Sequence, residues 1–458
     1  MNRLSHLLYI ITLFSLIGCY QEGIEELYPQ ENDNIEFAVP TIKVTKEDGT
    51  RAITTESLKK TALTNGDKFA VWGYCVPNMV GSSSTLDYNG ATSTWLAKRA
   101  LSLPNVFYTS GTDFLNTVTI GEQQTGSKQR KWYSLGKGLD GGTNGSVGAN
   151  ADDYQYTFFA YYPADDTGFR INPPNGSGNN QYIAQNSLIV QYTMPYNDGA
   201  TVDLNDADSY NTNDAMLAMV ENHKRGDGKV SFTFSHLLCG LTFQCNNFTE
   251  YLDYESLTNG EPTETGSDLL ITKIKLGGTF HKTLRTNLFE SSSSNFSFQG
   301  TYKAVYTIYD NAEGTTIPYV DSTPDDNVDE TSQVLGNPLL LLCGTKVGND
   351  DQFLGPEPYA VYDNTQELGD QAGIILEVTY QYKGPDGDTS KDGLVTTKQI
   401  SLLATDRTFT PHVGVNYTIQ LNWVGNEFAV IVIPDGKGTW EDGEANDGNT
   451  NNDDVVFE

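Results

Sequence analysis

The chain has 458 residues, enough for two or three domains with a sizeable core, and its 59 acidic against 28 basic residues give a formal charge of −31. A surface this acidic repels nucleic acid and anionic membranes, which excludes a nucleic-acid partner. Beyond the first 18 residues no apolar run reaches the roughly 18 residues of a membrane-spanning helix, so none is expected.

Residues 1–18 read as an export signal. Arg3 supplies a positive start, and "LLYIITLFSLI" (7–17) is an apolar stretch too short to span a bilayer as a helix. The stretch ends in "LIGC", which resembles the lipobox of bacterial lipoproteins. That resemblance implies cleavage between Gly18 and Cys19, with a diacylglyceryl group on the Cys19 thiol and a further acyl chain such as palmitate on its amine. Residues 19–51 then form a lipidated propeptide. In "NIEFAVPTIKVTKEDGTRAITTE" (34–56), Ile35, Phe37 and Val39 alternate, and Ile42 and Val44 resume after Pro40. This pattern predicts a strand whose proline suits a sheet edge. The polar turn "KEDGT" follows, and Arg51-Ala52 offers an accessible bond to a trypsin-like protease.

The rest reads as all-β, organised as two β-sandwich domains in series. "KFAVWGY" (68–74) and "YTFFAYY" (156–162) are dense in aromatic and β-branched residues, as strands are. "AGIILEVTYQY" (372–382) and "LVTTKQISLL" flank a polar tip, which predicts a hairpin. A second hairpin is expected in 415–433. Tyr417, Ile419, Leu421 and Trp423 share a face, Gly425-Asn426 turn, and Phe428, Val430 and Val432 return. "TESLKKTAL" (55–63) is the best short helix candidate. The polar stretch "ENHKRGDGK" (221–229) lies between apolar runs and is the expected boundary, dividing an N-terminal domain (52–222) from a C-terminal one (223–436). Residues 437–458 form an acidic, glycine-rich tail that carries the short apolar cluster Val455, Val456 and Phe457.

No catalytic constellation emerges, so no enzyme activity and no cofactor are expected. His236 and Cys239 stand three apart in "FTFSHLLCGLTFQC" (232–245), but the surrounding run is apolar, which argues for burial and an inert thiol. Cys75, Cys239, Cys245 and Cys343 show no zinc spacing; export would permit disulfides and the even count is compatible with them, but a core this large needs no staples and they read as buried thiols. Asp447, Asn449, Asn451, Asp453 and Glu458 fall at calcium-loop spacing, yet Asn452 stands where the sharp turn wants glycine and no helices flank the loop. "DGDTSKD" (386–392) is a similar weak cluster and reads as a turn, so no metal site is expected.

Taken together, "LIGC", "TRA" (50–52), "GDKFAVWGY" (66–74), "YTFFAYYP" (156–163), "NDAMLA" (213–218), "VSFTFSHLLCGLTFQ" (230–244) and "GVNYTIQLNWVGNEFAVIV" (414–432) resemble the fimbrillin family in order and spacing. That family supplies lipoprotein precursors of type V pili, and the resemblance spans nearly the whole exported chain. It implies transthyretin-like sandwiches, with "FSHLLCGLTF" opening the core of the second. It also implies a precursor carried to the outer membrane surface on the Cys19 lipid. Cleavage between Arg51 and Ala52 would then remove the strand at 35–44, and a strand from another pilus subunit would fill the vacated groove. Val455, Val456 and Phe457 are the insertable residues of the tail, which leaves shaft, tip and non-polymerising roles open. A surface lipoprotein that stacks glycans on Trp95, Trp132 and tyrosine-rich loops is the alternative.

Overall fold

The computed structural model describes residues 34–42, 62–77, 116–125, 154–171, 189–248, 250–258, 261–266, 268–287, 296–319, 332–345, 352–383, 394–402, 414–424 and 427–434. These residues form an all-β protein. Two short 3₁₀ turns, Arg225–Asp227 and Leu368–Asp370, are the helical elements among the described residues.

The strands run in chain order as β1 (Thr41–Ile42), β2 (Lys68–Pro77), β3 (Asn116–Thr119) and β4 (Tyr154–Tyr162). Next come β5 (Phe169–Ile171), β6 (Ile189–Thr193), β7 (Ala200–Asp203), β8 (Met216–His223), β9 (Thr233–His236) and β10 (Cys239–Asn247). A small pair, β11 (Glu250–Thr258) and β12 (Glu261–Gly266), precedes the long strands β13 (Asp268–Asn287) and β14 (Phe296–Ile317). Four short strands follow: β15 (Gln333–Val334), β16 (Leu339–Leu341), β17 (Gly344–Thr345) and β18 (Gln352–Phe353). The last four are β19 (Ile374–Lys383), β20 (Val395–Ser401), β21 (Asn416–Val424) and β22 (Glu427–Pro434).

Three sheets carry the architecture. The first has six strands in the order β1-β9-β8-β4-β2-β3. The second runs β15-β10-β21-β22, with β16 also on β10. The third runs β20-β19-β13-β14-β7, with β6 on β13 and β5 on β6. Both expected hairpins form: β19 pairs antiparallel with β20, and β21 with β22. Tyr417, Ile419, Leu421 and Trp423 enter the main core with Phe428, Val430 and Val432. Between Gly277 and Gly278 the long strand β13 passes so close to 368–373 that no side chain fits. A Cβ on Gly278, at φ +138°, would lie 2.0 Å from the Gly373 carbonyl.

Residues 221–229 include the end of β8 and the turn into β9, so they join neighbouring strands of one sheet. Pairing crosses the 222/223 division in both directions: β9 joins the first sheet, and β5, β6 and β7 join the third. Of the helix candidate at 55–63, residues 55–61 lie outside the described residues. Ala62 is extended and bridges Thr41, which replaces helix with β structure at that end.

Strands β2 and β4 are buried on both faces. Ala70, Trp72, Phe159 and Tyr161 face the main core, while Phe69, Val71, Phe158 and Ala160 face a second cluster on the other side. The run 232–245 is likewise divided. Phe232 and Phe234 belong to the second cluster, and the chain crosses at 237–238 to place Cys239, Leu241, Phe243 and Cys245 in the main core. Cys239, Cys245 and Cys343 are buried free thiols, and burial pushes the Cys245 and Cys343 thiols up, out of the reactive range. The Cys75 side chain lies outside the described residues.

His281 on β13 is buried beside Phe298, with ring centroids 5.4 Å apart. Burial pushes its imidazole down to about 4, partly offset by a hydrogen bond to the Gly344 backbone. The unfolded chain takes up this proton near pH 6.5, and the fold resists it until about pH 4. The stability this residue contributes is therefore intact above pH 6.5 and falls as pH drops through that window. We expect wild type to lose roughly 3 kcal/mol more than His281→Gln between pH 7 and pH 4, read by denaturant unfolding.

Candidate functional site

The feature that stands apart from ordinary packing is the segment 34–42 along the edge of the first sheet. Its partner is the stretch 230–234, where Val230, Phe232 and Phe234 point into the second cluster and residues 231 and 233 face out. The two run parallel. Phe37 stands opposite Val230, Thr41 opposite Thr233 and Ile42 opposite Phe234. The Val230 amide donates to Glu36 O at 2.8 Å, and Ala38 N–H donates to Val230 O at 2.9 Å, so Val230 is held from both sides. Thr41 N–H donates to Phe232 O at 3.0 Å. On the other flank Leu63 N–H donates to Pro40 O at 3.1 Å.

Side chains of the segment complete the cluster. Ile35 and Ile42 are 3% and 5% exposed, and Pro40 is buried. Phe37 lies in an aromatic box. It stacks on Phe232 at 6.0 Å and meets Phe69 and Phe158 edge-on at 5.8 and 6.3 Å. Tyr162 closes the end near Phe234. Burial and the nearby Asp67 carboxylate push its phenol up, so it stays neutral and donates to Asp67 Oδ1 at 3.2 Å. Glu36 pairs with Lys229 at 3.1 Å, but side-chain exposures of 39% and 62% leave this bridge worth little.

The expected alternation needs one correction. Val39 is 56% exposed rather than buried, and Pro40 takes the inward position. The edge placement of the proline holds in part: Thr41–Ile42 is the terminal strand of its sheet, while Ala62 bridges Thr41 and Leu63 N–H reaches Pro40 O on the far flank. Removing 34–42 strips the partners from the Val230 amide and carbonyl and from Phe232 O, and opens a channel floored by Phe69, Phe158 and Phe232. An edge in that condition is costly to leave empty and is a template for another strand.

Lys43 and Val44 lie outside the described residues, as do Gly18, Cys19, Arg51, Ala52, Trp95, Trp132, the clusters at 386–392 and 447–458, and Val455, Val456 and Phe457. His236 and Cys239 pack, as the apolar run implies: His236 is buried with Nδ1 2.7 Å from Asp214 Oδ1, and Cys239 is fully buried. Among the described residues no group of three or more His, Cys, Asp or Glu could hold a metal ion. Sequence reasoning missed the acceptor, 230–234, although the apolar alternation of Val230, Phe232 and Phe234 was visible in it. We expect Phe37→Ala to cost about 2–3 kcal/mol in denaturant unfolding and Val39→Ala less than about 0.5, since only Phe37 fills the box.

No protein-family model matches the chain, and no curated protein matches it. Among solved structures it is similar to a fimbrial protein from Bacteroides vulgatus, with 16% identity over 81% of this chain and 93% of that one and a TM-score of 0.40. It is similar to the tip fimbrial protein Mfa3 from Porphyromonas gingivalis, with 10% identity over 87% of this chain and 99% of that one and a TM-score of 0.30. A fimbrial assembly protein from Parabacteroides distasonis is also similar, with 9% identity over 84% and 92% of the two chains and a TM-score of 0.27.

Proposed function

We propose that the chain is a structural or adhesive subunit of a cell-surface fimbria, made as an outer-membrane lipoprotein and assembled by strand exchange. The observation that carries this reading is the segment 34–42, an edge strand that completes the second cluster through Ile35, Phe37 and Ile42. It is joined to the body only through residues 43–61, which include Arg51-Ala52. A cut there frees the strand from the chain while its groove stays in place. A neighbouring subunit's strand then fills the groove and restores the hydrogen bonds to Val230 and Phe232. The bond so formed is noncovalent, and it breaks slowly because ladder and side-chain contacts must be lost together.

In this reading Cys19 is a temporary tether. Its lipid holds the precursor at the outer membrane, and the edge strand keeps the groove closed until cleavage. Val455, Val456 and Phe457 are the residues the tail would offer to a neighbour, and the division into 52–222 and 223–436 is the proposed domain plan, with β9 and β5 to β7 pairing across it. The role is mechanical, with assembly in place of turnover and no cofactor.

Limited trypsin treatment of the full chain should yield a body beginning at Ala52, read by N-terminal sequencing, that binds an added strand peptide with alternating apolar residues. Resistance at Arg51, or cleavage at that bond with no strand peptide bound at any concentration, overturns the proposal.

A further inference from the structure

The pairing that holds 34–42 is out of step with itself. Phe37 opposes Val230 and Thr41 opposes Thr233. Four steps along the segment therefore match three along the acceptor. The extra residue is a bulge at 39–40, and it coincides with the exposure of Val39 and the burial of Pro40. In an unbulged parallel ladder the amide of position 40 would reach Phe232 O. Proline has no amide hydrogen to donate, and Thr41 N–H makes that bond one residue later.

The acceptor itself is regular, with Val230, Phe232 and Phe234 facing inward at every second position. A regular parallel partner would keep register throughout and place apolar side chains at positions 1, 3, 5 and 7 of one face. The chain's own segment delivers them from Ile35, Phe37, Pro40 and Ile42, at positions 1, 3, 6 and 8. Without Pro40 the same stretch would read Ile35, Phe37, Val39 and Ile42 at strictly alternating positions.

We infer that the proline bulge makes residues 34–42 the weaker occupant of their own groove, and that the intended occupant is a proline-free strand of another subunit with four strictly alternating apolar residues. This rests on the strand-exchange reading and names the partner and the driving force for it. The exposed bulge is also the place where an incoming strand can begin to pair, because Val39 has left the ladder. Within 435–458, Val455 and Phe457 supply two alternating positions of the four, so a copy of that tail is a poor match for this groove.

The test uses the full chain with a specific protease site inserted between residues 43 and 61. After cutting, fluorescent peptides are added: 33–44 as it stands, 33–44 lacking Pro40, and 446–458. The peptide lacking Pro40 should displace the resident segment with at least tenfold tighter apparent affinity than the unaltered one, and 446–458 should bind more weakly than either. A full chain lacking Pro40, cut in the same way, should keep its segment through gel filtration while the unaltered chain loses it. Equal or weaker binding by the peptide lacking Pro40, with exchange of the unaltered peptide intact, overturns the inference alone. Complete cutting with no exchange by any peptide overturns strand exchange itself, and the inference with it.

Discussion

A sheet whose central strands bury both faces must be covered twice, and that constraint organises this molecule. Strands β2 and β4 send Trp72 and Phe159 to one side and Phe69 and Phe158 to the other. The main core covers the first side with two further sheets. The second side is covered by short pieces: the 230–234 acceptor, Leu63, Val118 and the edge segment 34–42. A large continuous core is shared by many elements and loses little when one frays. A small cluster closed by a few short pieces depends on each of them, which is why one removable segment has leverage there.

The other sheets supply the rigidity that this arrangement needs. The parallel pair β10–β21 buries Leu241, Phe243, Ile419 and Leu421 on its inner face. Its opposite face carries a polar ladder, with Thr242 and Thr418 hydroxyls 3.1 Å apart and Asn246 Nδ2 donating to Asn422 Oδ1 at 3.1 Å. Matched polar pairs across adjacent strands hold register, because a one-residue slip would turn them into the apolar face. The long strands β13 and β14 tie β6, β7 and β19 into one sheet, and the close passage at Gly278 locks β13 against 368–373. The groove is thus a local weakness in a firmly registered body.

Several elements are legible in the residue pattern alone. The alternation of Ile35 and Phe37, both hairpins, the doubly apolar run at 68–74 and the packing role of His236 follow from residue type and period, which are local properties. Other features are not. The 221–229 stretch is polar whether it links domains or turns within a sheet, so composition cannot separate the two. His236 and Asp214 meet from positions 22 residues apart. Alternation also favoured Val39 as the buried residue, because a period-two pattern assumes an unbroken ladder.

The sequence by itself determined the strand-forming segments at 68–74, 156–162 and 372–382, the hairpin in 415–433 and the burial of His236 and Cys239. Residue type and period are local properties that mean the same thing wherever the chain folds. Only the tertiary structure decided which strand holds 34–42, that the pairing is parallel, and that Pro40 rather than Val39 turns inward. Register between two segments almost 200 residues apart is set by the mutual fit of their side chains and amides, and no local pattern encodes that fit.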